Sequence, residues 1–156
     1  MYSNNLVCQI LEYIDKYINT KIEIKDLEYR FYYNRYYIMK IFKKELKITI
    51  FDYINKLRIY NSINELKENN KLLIRVALNN GFYSLEYYSE IFKREISVSP
   101  KQYQKIINGN RLYNDVVINN ITKNLIEIKK LIDKKEKYLQ NRKRDVLPIK
   151  KLSIFK

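Results

Sequence analysis

The stretch R-V-A-L-N-N-G-F, residues 75–82, holds the only alanine and one of the two glycines of this 156-residue chain, Ala77 and Gly81. In a chain with so few small residues, these two are expected to lie where a larger side chain does not fit. A small side chain lets two steeply crossing helices approach closely. A glycine four residues later takes the positive φ of a sharp turn after a helix. With Phe82 filling the core beside this turn, the stretch predicts a helix-turn-helix.

Apolar residues recur at three- and four-residue spacings along most of the chain, which predicts an all-α fold. Capping residues mark where the helices begin. Thr49 with Asp52 and Ser99 with Gln102 have the spacing of a capping box, and Pro100 suits a first helical position. Seven short helices are predicted, around residues 6–18, 24–31, 34–45, 50–67, 72–79, 85–95 and from 100 onward.

A repeat with an offset of 50 residues organises these helices. I-F-K-K-E-L-K-I-T begins at Ile41 and I-F-K-R-E-I-S-V-S begins at Ile91, and the match extends back to the caps Asn34 and Ser84. The repeat predicts two copies of one helical subdomain, joined by the helix of residues 50–67. That helix spans roughly 27 Å, against about 34 Å between successive major grooves on one face of DNA. One chain can therefore place both units in successive major grooves. If the separation of the two recognition helices is shorter than that of the grooves, the DNA must bend.

The charge of the chain favours a polyanionic partner. Lys and Arg number 31 against 17 Asp and Glu, which gives a net charge of +14 and a pI near 9.7. Nucleic acid and an anionic membrane surface both fit this balance, and a well-solvated basic surface is the third interpretation. The absence of a long apolar run and of a signal-peptide pattern, together with the single cysteine, Cys8, predicts a cytoplasmic protein.

Several catalytic chemistries are excluded by composition. The chain has no histidine, one cysteine and two glycines. Ser–His and Cys–His catalysis, a soft metal site and a glycine-rich phosphate loop are therefore all ruled out. We predict no enzyme, and no catalytic residue, cofactor or metal.

The segment I-R-V-A-L-N-N-G-F-Y-S-L-E-Y-Y-S-E-I-F-K-R-E-I-S-V-S-P-K-Q-Y, residues 74–103, resembles the signature of the AraC/XylS transcription regulators. The resemblance covers about residues 6–106. It implies a seven-helix domain in which two homeodomain-like helix-turn-helix subdomains, joined by a linker helix, bind adjacent major grooves of promoter DNA. Members of the family are mostly activators that contact RNA polymerase. The resemblance therefore implies two partners, double-stranded promoter DNA and RNA polymerase. We assign residues 1–108 to this domain and residues 109–156 to a basic helical tail or linker.

The first unit departs from the family pattern. Glu28 stands in the place of the small residue and Tyr32 in the place of the turn glycine, and the turn is one residue shorter than in the second unit. Two further positions, which usually hold glycine in the family, are Lys47 and Ser97 here.

The first recognition helix can be divided into two faces. Ile38, Ile41 and Phe42 are expected in the core. The opposite stripe consists of Arg35, Tyr36, Met39, Lys40 and Lys43. By resemblance, Tyr36, Met39 and Lys40 occupy positions that reach bases in related regulators. A lysine can donate to guanine and an apolar surface can pack on a thymine methyl group, whereas a solvated helix face is the alternative.

The second recognition helix has a different outer face. Its core side chains are Tyr87, Tyr88, Ile91 and Phe92, and its outer stripe is Leu85, Glu86, Ser89 and Glu90. Two glutamates fit phosphates poorly, although a glutamate can accept from a cytosine amine. This helix therefore either reads few bases or mainly positions the protein.

Phosphate contacts are expected from other groups. The helix N-termini at Asn34 and Ser84 attract anions. The basic side chains that follow are Lys43, Lys44, Lys93 and Arg94. Arg58, which matches a frequent family arginine, is expected to brace the two units.

The tail, residues 109–156, carries 13 Lys/Arg and 5 Asp/Glu, a net charge of +8. An apolar seam of Ile118, Ile121, Leu125, Ile128, Ile132 and Leu139, interrupted by Lys135, predicts a helix. The seam can form a homodimer through residues 118–139, pack on the main domain or link to another domain. The basic end would strengthen non-specific DNA binding.

The sequence thus predicts a sequence-specific DNA-binding transcription regulator, an activator by resemblance, with no membrane partner. The alternative is a helical interaction protein that binds nucleic acid non-specifically through its basic surface and tail.

Overall fold

The computed structural model describes residues 2–68, 71–109 and 113–152, with side chains described for residues 5–68, 71–109 and 113–143. Within these ranges the chain forms eight α-helices and no strand, which confirms the all-α prediction. The helices are α1 (Tyr2–Tyr17), α2 (Ile24–Phe31), α3 (Arg35–Leu46), α4 (Ile50–Leu66), α5 (Leu73–Asn79), α6 (Leu85–Ile96), α7 (Pro100–Ile107) and α8 (Asp115–Leu152).

Side-chain caps fix where several helices begin. Asn34 Oδ1 accepts from the Tyr37 N–H at 2.9 Å, and Ser84 Oγ accepts from the Tyr87 N–H at 3.1 Å, so α3 and α6 begin in the same way. Such a cap stabilises a helix by about 1 kcal/mol. At α7, Ser99 forms the predicted capping box.

The cap of α4 differs from the predicted capping box. Thr49 Oγ1 accepts from the Asp52 N–H at 3.2 Å, but the Asp52 carboxylate accepts from the Thr49 hydroxyl, at 2.6 Å, instead of from the Thr49 backbone. The break predicted at residues 68–71 includes Asn69 and Asn70, which lie outside the described residues; α4 ends at Leu66.

The buried side chains form two separate clusters, one for each helix-turn-helix unit. The first cluster is built from α1, α2, α3 and the beginning of α4, and the second from the end of α4 with α5, α6, α7 and two residues of α8. Leu57 and Ile59 lie two residues apart on α4 but belong to different clusters. α4 is therefore a linker helix whose halves complete two different cores.

The two units meet at Gly81, where backbone and side chains approach very closely. Gly81 has φ +81°, and a Cβ atom there would lie 2.7 Å from the Ile18 carbonyl oxygen and 2.9 Å from Arg58 Nε. Ala77, four residues earlier, is fully buried in the second cluster. The positive φ favours glycine at this turn, and the lack of space for a Cβ atom requires it.

Arg58 occupies the junction beside Gly81. Its guanidinium donates from Nε to the Ile18 carbonyl at 2.9 Å and from Nη2 to the Thr20 carbonyl at 2.6 Å. It also lies over the ring of the buried Phe82, with Cζ 5.9 Å from the ring centroid. Burial lowers the pKa of Arg58 below its ordinary value. The residue joins the first unit to the turn of the second, as the sequence predicts.

In the part of the chain that the structure describes, three residues other than glycine take the left-handed conformation. Tyr32, in the place of the family's turn glycine, has φ 59°, and Lys47 and Ser97 have φ 62° and 79°. Each follows the helix it caps, α2, α3 or α6, and its N–H donates to a carbonyl four residues earlier. Left-handed backbone costs such residues roughly 1–2 kcal/mol each. The departures from glycine therefore preserve the turns and leave local strain.

Glu28, in the place of the small residue, replaces close packing with hydrogen bonds. Its Oε1 accepts from the Arg35 backbone N–H at 2.7 Å and from Arg35 Nε at 3.2 Å, while Oε2 accepts from Arg35 Nη2 at 3.0 Å. These bonds lower the pKa of the Glu28 carboxyl below its ordinary value of 4.5. The carboxylate thus ties the last turn of α2 to the first turn of α3.

α8 packs on the domain. Ile121 and Ile128 are buried in the second cluster, and Leu131, Ile132, Tyr138 and Leu139 pack against the first. Lys135, predicted to interrupt the seam, is 9% exposed and pairs with Asp15 at 2.8 Å. Ile118, assigned to the seam by its spacing, is instead 42% exposed. A homodimer through residues 118–139 stays a prediction.

Within the described ranges, none of the helices combines the length and hydropathy of a membrane-spanning segment.

Gly81→Ala and Gly109→Ala form a matched pair of substitutions, because both glycines have φ near +80° but a Cβ at Gly109 would meet nothing within 4 Å. We expect Gly109→Ala to lower the free energy of unfolding by about 1 kcal/mol, from backbone strain alone. Gly81→Ala should cost about 3 kcal/mol or more, because the Cβ also meets Ile18 and Arg58. Urea unfolding followed by circular dichroism measures both, and equal losses would contradict the close approach at Gly81.

Glu28→Gln should make the first unit less stable at neutral pH and less sensitive to acid. A carboxyl whose pKa is lowered by folding contributes stability above its ordinary pKa of 4.5, and this contribution is lost as the pH falls through the folded-state value. The difference between the unfolding free energies at pH 7 and pH 3.5 should therefore be smaller for Glu28→Gln than for the native chain. Glu12→Gln, an exposed substitution on α1, is the control. An unchanged acid dependence in Glu28→Gln would contradict this role.

Candidate nucleic-acid interface

α3 presents an exposed stripe opposite its buried face. Ile38, Ile41 and Phe42 lie in the first cluster. On the other side Tyr36 is 80% exposed and Met39 is 43% exposed, and Lys40, Lys43 and Lys44 are exposed as well. Among the described residues, neither Lys40 nor Lys43 forms an ion pair. The structure therefore brings together an aromatic ring, a thioether and unpaired ammonium groups on one helix face.

Arg35, predicted on the same stripe, is placed differently. It is only half-exposed, and its guanidinium is held by the Glu28 carboxylate. The glutamate neutralises this cation, so Arg35 is less available to a phosphate than Lys40. Sequence reasoning missed the ion pair between Glu28 and Arg35. The available signal was a glutamate in the place of a small residue, seven positions before an arginine.

Both recognition helices begin with a stacked pair of tyrosines that the sequence analysis did not single out. Tyr33 and Tyr37 stack with centroids 5.1 Å apart, and Tyr83 and Tyr87 stack with centroids 4.8 Å apart. The two pairs are related by the 50-residue offset and bracket the capping residues Asn34 and Ser84, which was the available signal. Stacking of this kind adds about 0.5–1.5 kcal/mol beyond burial. It supports the exposed N-terminus of each recognition helix.

The turn of the first unit adds exposed phenols next to this stripe. Tyr32 is 90% exposed, and Tyr29 is nearly as exposed on the last turns of α2. Phenolic hydroxyl groups donate to phosphate oxygens in protein–DNA complexes. The surface around the α2–α3 turn therefore offers hydrogen-bond donors as well as aromatic faces.

α6 has a narrower and more acidic outer face than α3. Glu86 and Glu90 are exposed, whereas Ser89 is half-exposed. Leu85, predicted on the outer stripe, is also half-buried and packs against the second cluster. The exposed surface of α6 therefore carries two negative charges, Glu90 in the place of Lys40 and Glu86 in the place of Tyr36.

The basic residues at the ends of the recognition helices fall into two groups. Lys43, Lys44 and Lys93 are exposed in the last turns of α3 and α6, where they also complement the helix dipole. Arg94 is held by carboxylates instead, with Nη2 2.9 Å from Glu95 Oε1 and 3.6 Å from Asp52 Oδ1. The lysines therefore form the more available part of this basic set.

Comparison with known proteins agrees with this architecture. A family model described as a helix-turn-helix domain matches residues 29–106, half of the chain. A crystal structure of a transcriptional regulator of the AraC-type DNA-binding domain group from Chromobacterium violaceum covers 69% of this chain and 96% of its own, with a TM-score of 0.58 and 18% identity. The DNA-binding domain of AdpA, crystallised with a target DNA, covers 69% and 97%, with a TM-score of 0.59 and 17% identity.

Curated relatives match over the same region. The HTH-type transcriptional activator AarP of Providencia stuartii is 24% identical over 117 residues, which cover 75% of this chain and 84% of AarP. The transcriptional regulatory protein HptR of Staphylococcus aureus is 33% identical over 104 residues, which cover 67% of this chain but only 41% of HptR. With two helix-turn-helix units, a shared linker helix and a family match that runs from the end of α2 to α7, the chain belongs to the AraC/XylS family of DNA-binding transcription regulators.

Proposed function

We propose that the chain is a sequence-specific regulator of promoter DNA in which the first unit reads bases. The observation that carries this proposal is the stripe of Tyr36, Met39 and Lys40, exposed on α3 opposite a fully packed face. A helix of this kind can enter the major groove and place three side chains at base edges. Lys40 would donate to guanine, and Tyr36 and Met39 would pack on thymine methyl groups.

The second unit is proposed to position the protein more than to read sequence. Glu86 and Glu90 are exposed on α6 and repel the phosphate backbone, so close approach along the whole helix is unfavourable. Phosphate contacts would come from the N-terminus at Ser84 and from Lys93. Lys43 and Lys44 would do the same for the first unit.

The sign of regulation is proposed from the relatives. AarP is named a transcriptional activator, and AdpA was crystallised with a target DNA. We assign the chain an activating role that uses a contact with RNA polymerase in the cytoplasm.

The domain boundary that we propose, between residues 108 and 109, follows the end of α7 at Ile107 and precedes the beginning of α8 at Asp115.

One observation favours the second candidate function, non-specific binding of nucleic acid through the basic surface. The tail carries a net charge of +8, and this charge acts without any base contact. A salt series separates the two functions. Duplexes selected from a random pool and scrambled duplexes of equal length are compared by fluorescence anisotropy. The proposed regulator binds the selected duplex more tightly at every salt concentration, and equal affinities would support non-specific binding.

Lys40→Ala should lower affinity for the selected duplex by about 1–3 kcal/mol and relax the preference at one base pair. Lys129→Ala, which removes an exposed charge from α8, is the matched control and should leave the base preference unchanged. The measurement is anisotropy against duplexes that carry each of the four bases at every position. A uniform loss over all sequences would instead identify Lys40 as a phosphate contact.

A further inference from the structure

α4 carries the chain from the first core to the second. The first cluster ends at Leu57 and the second begins at Ile59, so the units share a helix but few buried side chains. Arg58 and the ion pair between Lys56 and Glu95 also cross the junction. A junction of this size permits one subdomain to rotate against the other about the linker helix.

α8 crosses the same junction and contributes to both cores. Ile121 and Ile128 are buried in the second cluster, Leu131 and Leu139 pack on the first, and Ile132 contacts both. Residues 121–139 cover roughly 27 Å, close to the length of α4. Because α4 runs from the first core to the second and α8 runs from the second to the first, the two helices cross the junction in opposite directions.

Polar contacts attach α8 near the C-terminal ends of both recognition helices. Asn124 Nδ2 donates to Ser97 Oγ at 2.7 Å, directly after α6. The Tyr138 hydroxyl lies 3.5 Å from Glu45 Oε2 in the last turn of α3. Lys135, almost fully buried, forms its ion pair with Asp15 of α1. Each subdomain is therefore held to α8 by apolar packing and by a polar contact.

We infer that residues 121–139 of α8 form a strut that fixes the separation and relative rotation of α3 and α6. On the proposed function, on which this inference rests, the strut makes α8 a determinant of specificity without any contact to DNA. On the duplex, each recognition helix would meet one half of the binding site. Two base pairs inserted between these halves displace one half from the other by about 7 Å and rotate it by about 70°. A rigid pair of recognition helices cannot follow that change, whereas a pair held only by α4 and the few contacts around Arg58 and Lys56 can.

Ile132→Ser removes packing on both cores and tests the strut against Ile126→Ser, an exposed apolar position on the same helix. On a selected duplex with two inserted base pairs, the native chain and Ile126→Ser should lose at least about tenfold in affinity. Ile132→Ser should lose less than about threefold relative to its own binding of the unmodified duplex. The same loss in all three proteins would overturn the inference.

A second test needs no DNA and covers the case in which Ile132→Ser folds poorly. Lys135→Asp places two carboxylates together at the α1–α8 contact, and the double change Asp15→Lys with Lys135→Asp restores opposite charges. Spin labels are attached through Tyr36→Cys and Glu86→Cys, with Cys8→Ser in all proteins. The distance distribution should broaden at least about twofold in Lys135→Asp and return to the native width in the double variant.

An unchanged distribution in Lys135→Asp would overturn the strut. Because this readout is made on the free protein, it decides the inference even if the native chain fails to distinguish selected from scrambled duplexes. That failure would remove the proposed function while leaving the distance result interpretable. Conversely, specific binding by the native chain with an unbroadened distribution would support the regulator and contradict the strut.

Discussion

The architecture depends on the close approach of the two units at Gly81 and Arg58. A buried guanidinium is costly unless its donors are satisfied. Here the carbonyl groups of Ile18 and Thr20 accept from Arg58. These carbonyls belong to the segment after α1, whereas Gly81 belongs to the turn of the second unit. One side chain on the linker helix thus bonds one subdomain and packs against the turn of the other.

The two recognition helices are built alike and charged differently. Each has a polar N-cap, a stacked tyrosine pair and a left-handed residue at its end. The exposed stripe of α3 carries Lys40, whereas that of α6 carries Glu86 and Glu90. The positive charge thus lies on the exposed stripe of the first unit, whereas the carboxylates of α6 repel phosphate groups. The asymmetry follows from a few substitutions on a common scaffold.

Much of the fold was predictable, because the signals were local. The spacing from Ala77 to Gly81, the 50-residue repeat and the caps at Asn34 and Ser84 depend on neighbouring residues, and the helices follow them closely. Long-range pairings were not predictable. Lys135 looks like an interruption of an apolar seam until α1 supplies Asp15, and Arg35 looks free until Glu28 is seen across the turn. Both pairings depend on how helices pack, which spacing within one helix does not encode.

The candidate interface shows the same division. The faces of α3 follow from helical periodicity, since its buried residues and its exposed stripe lie where the sequence predicts, apart from the half-exposed Arg35. Leu85 on α6 follows the same periodicity but packs partly on the second core, because apolar surface from neighbouring elements reaches it. Periodicity identifies a face, whereas the width of that face is set by its neighbours.

The central claim is that one chain holds two exposed recognition helices at a separation fixed by the junction and suited to duplex DNA. A crystal structure of the chain bound to a selected duplex tests it most directly. The account predicts α3 in one major groove and the N-terminus of α6 at the next, with Arg58 still bonded to Ile18 and Thr20. A complex in which α3 lies outside the groove, or in which the Arg58 contacts are broken and the units have turned apart, would contradict it.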